Sequence, residues 1–183
     1  MNDSGPVLIR PETSEDTLAI RTVTAEAFWG QEHSAPPQEA DGAPGEATLV
    51  GLLRDDEAWI PGFSLVAEHE GRVVGHVVAT RAHVESYDAL GLGPLSVAPE
   101  LQRQGVGSTL MTALIDAADE RGEQLIALLG DPAYYSRFGF SPAADLGIQA
   151  PDPTWGAAFQ VRPLGAYDGF TGVFRYAEPF SRL

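Results

Sequence analysis

The stretch from residue 89 to residue 130 limits the fold most strongly, because strand, turn, helix and strand signals follow one another directly. It opens on the apolar run ALGLGPLSVAP, whose glycines and proline indicate a bulge or the close approach of another backbone. The run EQLIALLG has the length and continuous apolar character of a strand covered on both faces. Two strands joined through a helix favour parallel pairing, so a β-α-β unit is predicted. The helix between them, GVGSTLMTALIDAADERG, carries an apolar stripe made of Val106, Leu110, Leu114, Ala117 and Ala118.

The remaining segments surround this unit with antiparallel structure. A short strand is predicted over residues 5–11, helices over residues 14–29 and 46–59, and a hairpin around Glu70 and Gly71. Ser14 is the expected N-cap of the first helix. DPAYYSRFGF is expected to be a short helix capped by Asp131, and FQVRPL and GFTGVFRYAEPF are expected to be late strands. These elements predict one α/β (α+β) domain over residues 1–183, with a mixed sheet and helices on both faces.

Composition excludes several classes of function. The chain has 26 acidic and 11 basic residues and a formal charge of -15, which argues against binding to nucleic acid or an anionic membrane. All 11 basic residues are arginine, so a P-loop ammonium and Schiff-base chemistry are excluded, and the absence of cysteine excludes disulfides and thiolate ligands. No stretch approaches the ~20 apolar residues of a membrane span. The N-terminal segment lacks the pattern of a signal peptide, so a cytoplasmic protein is expected.

The turn PELQRQGVGSTL, residues 99–110, predicts an anion site. The first backbone N–H groups of a helix have no internal partner and lie at the positive end of its dipole, where phosphate binds well. Gly105 and Gly107 allow a phosphate to approach without a Cβ in the way. A P-loop would need a lysine, and the dinucleotide fingerprint would need glycine where Leu110 stands. Both of these nucleotide motifs therefore fail.

The segment VAPELQRQGVG resembles the acyl-CoA pyrophosphate loop of the GNAT superfamily of N-acetyltransferases, written [QR]-x-x-G-x-[GA], with Gln102, Gly105 and Gly107 on its fixed positions. LGPLSV resembles the bulged fourth strand of that family, and LIALLG resembles its fifth strand. YYSRFGF is similar to the family's Tyr-x-x-x-Gly-Phe helix end, with Tyr135 on the tyrosine position. The resemblance covers residues 90–140 well and the flanking regions only in broad pattern.

The resemblance implies that acetyl-CoA binds where the fourth and fifth strands splay apart, without a metal ion. Backbone groups of Leu95 and Val97 would pair with the pantetheine arm, and N–H groups from Gln102 to Ser108 would hold the pyrophosphate. Arg103 is an additional candidate for phosphate contact. The full set of expected cofactor contacts is Leu95, Ser96, Val97, Gln102, Arg103, Gln104, Gly105, Val106, Gly107, Ser108 and Tyr135.

The resemblance also implies a direct transfer of acetyl from acetyl-CoA to a primary amine in a ternary complex. Tyr135 matches the general acid for the leaving thiolate, and the N–H of Val97 is the expected oxyanion donor. His83 and Glu85, near a strand end, are the candidate bases. A chain of water molecules would serve equally without any single base. Glu68, His33 in the loop of residues 30–46, and His76 are further candidates, although the alternation of its strand equally predicts His76 as a buried structural histidine.

Three hypotheses about function stay open at this point. The first is an N-acetyltransferase for a small-molecule or peptide amine, where the acidic surface favours a cationic acceptor through steering. The second is an acyl-CoA-binding domain without turnover, and the third is a transferase of another acyl group. The apolar late strands either serve a homodimer interface or close the sheet.

Overall fold

The computed structural model describes residues 6–183, so residue 5 of the first predicted strand lies outside the described part. A short 3-10 turn precedes the first helix and another follows the fourth. The strands are β1 (Leu8–Pro11), β2 (Ser64–His69), β3 (Arg72–Val84), β4 (Tyr87–Val97), β5 (Leu125–Leu129), β6 (Ser141–Pro142), β7 (Ile148–Gln149), β8 (Phe159–Pro163) and β9 (Gly172–Arg175). The helices are α1 (Thr17–Phe28), α2 (Gly45–Arg54), α3 (Val106–Glu120) and α4 (Pro132–Tyr135).

One mixed sheet organises these elements, with the strand order β1-β2-β3-β4-β5-β8-β6. Its N-terminal part, β1 to β4, is antiparallel, and β4 and β5 form the predicted parallel pair across α3. The far end of β3 also pairs with β9, which is parallel to β7. No helix within residues 6–183 combines the length and apolar character needed to cross a membrane.

Helices cover both faces of the sheet, as predicted. Leu110 and Leu114 of α3 are fully buried with Val77 and Leu92 on one face. The other face receives α1 and α2, whose buried residues include Ile20 and Val50, packed with Val66 of β2. Because every central strand has apolar side chains on both sides, it reads in sequence as a nearly continuous apolar run.

The N-cap at the start of the first helical segment lies one residue before the predicted cap. Thr13 is the N-cap residue of the 3-10 turn that leads into α1, and its backbone N–H donates to Asp16 Oδ2 at 2.7 Å. The prediction of Ser14 as the cap is therefore wrong. The capping acid lies three residues after Thr13, and Arg10 fixes it in an ion pair of 2.7 Å.

A bulge in β4 re-aims the second half of that strand. Val77 is opposite Leu95 whereas Ala79 is opposite Leu92, so two residues of β4 face one residue of β3. Gly93 lies in the bulge, where a Cβ would come within 2.9 Å of Val78 Cγ1. The glycine is thus required by the close approach of the two strands.

Parallel pairing between β4 and β5 is short. Leu90 pairs with Ile126 and Gly91 with Ala127, and the pairing ends there although β4 continues to Val97. The other edge of β5 pairs with β8 over its whole length. The two parallel strands therefore separate at their carboxyl ends, as the resemblance implied, and the edge of β4 beyond the bulge faces an opening.

Candidate active site

A cavity of about 930 Å³ occupies this opening. Its walls come from the end of α1 and the loop after it, the end of β4, the loop and first turn of α3, and the segment from Asp131 to Arg137. The lining residues are Ala27, Phe28, Gln31, Glu32, His33, Ser34, Leu95, Val97, Gln102, Arg103, Gly105, Gly107, Ser108, Asp131, Tyr134, Tyr135 and Arg137.

The backbone of β4 presents polar groups to this cavity. The N–H of Ala98 donates to Val74 O at 2.8 Å, so the polar groups of Ala98 point towards β3. Backbone groups alternate in direction along a strand, which turns those of Leu95 and Val97 towards the opening. The side-chain Nε2 of Gln102 donates to Val97 O at 3.1 Å and fastens the loop to the strand end. Gln102 thereby leaves the N–H of Val97 as the group available at that residue.

The two glycines of the loop serve different needs. Gly105 has φ 92° and no neighbour within 4 Å of a Cβ, so its conformation requires glycine. Gly107, in the first turn of α3, has ordinary helical backbone, but a Cβ there would lie 2.9 Å from the hydroxyl of Tyr134. Glycine is required at position 107 because a larger residue would not fit. The loop places the N-terminus of α3 against the aromatic pair Tyr134 and Tyr135.

Tyr135 is held in place by aromatic contacts on the cavity wall. Its ring centroid lies 4.8 Å from that of Tyr134 and 6.0 Å from that of Phe140, both nearly edge-on. A Cβ at Gly130 would come within 2.5 Å of the Tyr135 ring, so this glycine makes room for it. Burial, with smaller effects of Tyr134 and Asp131, raises the pKa of Tyr135 well above its usual range. The phenol is therefore protonated at neutral pH and can act only as a donor of a proton.

Asp131 starts the segment that carries Tyr135. Its Oδ1 accepts from the N–H of Ala133 at 2.9 Å, and Gly139 with φ 81° ends the following 3-10 turn. The predicted cap is confirmed. The carboxylate of Asp131 therefore serves as a helix cap. It adds negative charge to the cavity wall but is not a candidate for the chemistry.

The loop after α1 forms the opposite wall and is fixed by one buried carboxylate. Glu46, in the first turn of α2, accepts from Ser34 Oγ at 2.9 Å and from the N–H of Ala35 at 2.7 Å. This arrangement holds Glu32 and His33 at the cavity. Sequence reasoning considered His33 and missed the rest of the wall. The sequence signal that could have indicated this wall is Glu46, an acidic residue in the first turn of a predicted helix.

His83 and Glu85 lie away from the cavity. His83 is eight positions along β3 from Gly75, the partner of Val97, which is roughly 26 Å of strand. Its Nε2 is 3.3 Å from Asp88 Oδ1. Glu85 occupies the β3–β4 turn with φ 52°, and its Oε1 accepts from the N–H of Val173 at 2.7 Å. The choice of these two residues as bases is corrected, because the strand end they occupy faces β9.

Among the expected cofactor contacts, Ser96 changes, and Gln104 and Val106 are left with the backbone N–H role that the resemblance implied for them. Ser96 is fully buried on the α1 face, where its hydroxyl donates to Thr24 Oγ1 at 3.1 Å, and its backbone points to β3. The side chain of Val106 belongs to the core beneath α3, and Gln104 donates to Glu100 O at 2.8 Å. These residues do not line the cavity. Gln104 and Val106 can contribute only through their backbone, and Ser96 is a packing residue.

His76 is a structural residue beneath the helices. Its Nε2 lies 2.8 Å from Ser64 Oγ and 3.4 Å from Glu12 Oε2, and its Nδ1 has no partner within residues 6–183. Burial lowers the pKa of His76, so the neutral ring with a proton on Nε2 fits this site. Burial opposes ionisation of Glu12, but hydrogen bonds from His76, Arg54 and Ser64 outweigh it and lower the pKa of Glu12 to about 2.

Splayed parallel strands, a bulged strand edge and a helix N-terminus at one cavity define an α/β protein built to bind a phosphate-bearing cofactor along a strand. The sequence profile of the acetyltransferase (GNAT) family matches residues 20–140. The chain belongs to this family and is an acetyl-CoA-dependent N-acetyltransferase.

Similar proteins agree over nearly the whole chain. The uncharacterized N-acetyltransferase YhbS of Escherichia coli (strain K12) is 37% identical over 181 residues, covering 97% of this chain and 100% of that protein. The crystal structure of YhbS from Escherichia coli in complex with CoA has a TM-score of 0.82 and 34% identity, over 97% of this chain and 93% of that one. A GNAT family acetyltransferase from Brucella melitensis in complex with acetyl-CoA has a TM-score of 0.73 and 31% identity, over 96% and 98%.

Proposed function

We propose that this chain transfers an acetyl group from acetyl-CoA directly to a primary amine while both substrates are bound. The observation that carries the proposal is that one cavity is lined by the free edge of β4, the N-terminus of α3 and the half-buried phenol ring of Tyr135. The relatives with CoA or acetyl-CoA bound support the same cofactor here. In this arrangement acetyl-CoA binds along one wall of the cavity, and the amine reaches the thioester carbon from the other wall.

The pantetheine arm takes the place of a strand beside β4. Backbone groups of Leu95 and Val97 face the opening: those of Leu95 pair with an amide of the extended ligand, and the N–H of Val97 serves the acyl carbonyl. The pyrophosphate then reaches the first turn of α3, where the N–H groups around Gly107 and Ser108 are free of helical partners. Arg103, on the same loop, adds a positive charge to this end of the cavity.

The reaction balances with groups on the cavity wall. The lone pair of a neutral amine attacks the thioester carbon, a C–N bond forms, and the N–H of Val97 donates to the developing oxyanion. The C–S bond then breaks, Tyr135 gives its proton to the departing thiolate of CoA, and its phenolate regains a proton from the positively charged nitrogen of the new amide. A protonated phenol suits this step, because it has no competing role as an anion at neutral pH.

The acceptor binds against the loop of residues 31–34. Glu32 adds negative charge there, which attracts the ammonium form of an amine. His33, on the same wall, takes the proton that the amine must lose. This assignment replaces His83 and Glu85 by a residue at the cavity. The acceptor is a small molecule or a peptide carrying a primary amine.

The test follows free thiol during incubation with acetyl-CoA and a panel of primary amines. Tyr135→Phe should lower kcat by about 100-fold or more while CoA affinity stays within about threefold. Tyr87→Phe is the matched control, because Tyr87 stacks on Phe170 at 4.7 Å outside the cavity. His33→Gln should lower kcat/KM for the amine while CoA affinity is retained. CoA binding without thiol release for any amine would instead support an acyl-CoA-binding domain.

A further inference from the structure

The arginines of this acidic chain divide into two groups. Six of the 11 form ion pairs with carboxylates, as expected in a protein with 26 acidic residues. The other five have no carboxylate partner within residues 6–183. Two of these five, Arg103 and Arg137, line the same cavity. Since a chain of charge -15 repels polyanions at long range, these two unpaired arginines are the groups that can attract an anion into this cavity.

Arg137 is held by contacts that leave most of its donors free. Its Nε donates to Tyr134 O at 2.9 Å, and its Cζ lies 4.6 Å from the centroid of the Tyr134 ring and 6.0 Å from that of Phe138. The stacking fixes the plane of the guanidinium through cation–π attraction. The terminal nitrogens, which form the bidentate fork that fits phosphate, remain available.

Tyr134 connects this cation to the phosphate loop. Its hydroxyl comes so close to the first turn of α3 that a Cβ at Gly107 would lie 2.9 Å from it. The segment that carries Arg137 therefore packs through Tyr134 against the first turn of α3. Arg103 lines the same cavity.

We propose that Arg137, stacked on Tyr134, binds a phosphate of CoA from the side opposite the N-terminus of α3, and that the Tyr134 hydroxyl donates to the same group. This inference rests on the proposed function, because it needs CoA in the cavity. The ligand is thus held between two walls, with helix N–H groups on one and a preorganised guanidinium on the other. The phosphate is either part of the pyrophosphate or the 3′-phosphate of the ribose.

Isothermal titration of purified variants with CoA and with dephospho-CoA tests the proposal. Arg137→Gln should weaken CoA binding by about tenfold or more, the effect of one charge-assisted contact. Tyr134→Phe should weaken it by about threefold to tenfold. Equal losses for both ligands assign the pyrophosphate, and a loss confined to CoA assigns the 3′-phosphate.

Arg121→Gln is the matched control. Arg121 also has no carboxylate partner within the described residues, stacks at 4.8 Å on Phe63 and donates to Pro61 O at 3.0 Å, but it lies at the other end of α3. Its replacement should change CoA affinity less than twofold. Arg137→Lys, which keeps the charge, should recover part of the affinity.

Two results would overturn the proposal. One is wild-type CoA affinity in Arg137→Gln, and the other is an equal loss in Arg137→Lys and Arg137→Gln at every salt concentration, which would indicate packing alone. Failure of the unmodified protein to bind CoA would overturn the proposed function instead, so the two failures are distinguishable.

Discussion

Replacing Glu46 by Ala should separate acceptor binding from cofactor binding. Glu46 is buried in the first turn of α2 and accepts hydrogen bonds from Ser34 Oγ and the N–H of Ala35. It holds the wall that carries Glu32 and His33, whereas the cofactor wall consists of other segments. The truncation removes the anchor of one wall and leaves the phosphate loop untouched.

The structure sets the size of the effect. Two hydrogen bonds to an ionised carboxylate contribute about 1.5–3 kcal/mol each, and the freed loop groups regain part of this from water. The charge also interacts favourably with the N-terminus of α2, by about 0.3–1 kcal/mol. We expect the free energy of unfolding to fall by about 3 kcal/mol. For a chain of 183 residues this corresponds to a Tm about 6–12 °C lower.

Steady-state kinetics and titration check the separation. The KM for the acceptor should rise at least about fivefold, while Kd for CoA stays within about twofold. Glu39→Ala is the control: this exposed carboxylate of the same loop accepts from Thr48 Oγ1 at 2.9 Å and from Arg21, which also pairs with Asp41 at 2.6 Å. Its loss should cost less than about 1 kcal/mol. Equal losses of acceptor and CoA binding in Glu46→Ala would refute the division of the cavity into two walls.

Two further predictions concern the phosphate loop and the buried network. Gly107→Val should lower CoA affinity at least about tenfold, because its side chain would cover the first N–H groups of α3 and displace the Tyr134 hydroxyl, which lies 2.9 Å from the position of a Cβ; titration with CoA decides, and unchanged affinity contradicts the phosphate placement. Since burial lowers the pKa of His76, the unfolded chain takes up a proton below about pH 6.5 that the folded chain does not. Stability should therefore fall from about pH 7 towards pH 5, and His76→Gln should flatten that fall; an unchanged slope in the variant contradicts it.

The elements that sequence reasoning found are those coded by neighbouring residues. The helix stripe of α3, the turn at Glu70 and Gly71, and the cap at Asp131 each depend on a few adjacent positions, and the structure has all three. The mixed sheet followed from them, because a strand-helix-strand unit beside a hairpin leaves few arrangements.

The acceptor wall and the position of the candidate base depend on distant contacts instead. The sequence places His83 near the end of a strand. Only the pairing of β3 with β9 shows that this end lies away from the cavity. The loop with His33 gains its place from Glu46, 13 residues further along the chain. Tyr134 does not lie on the motif position that identifies Tyr135, and only the fold brings its hydroxyl next to Gly107.

The β-bulge in β4 both leaves part of the β4 edge without a neighbouring strand and creates the binding site. The bulge at Gly93 turns β4 away from β5, so Leu95 and Val97 direct backbone groups into an opening that a neighbouring strand would otherwise fill. Backbone groups without partners cost stability when they are shielded from water. A ligand that supplies those partners binds only the folded chain, so it must stabilise the fold by mass action. An extended, amide-bearing ligand that carries phosphate can contact both the strand edge and the helix N-terminus, whereas a compact anion can contact only one of them.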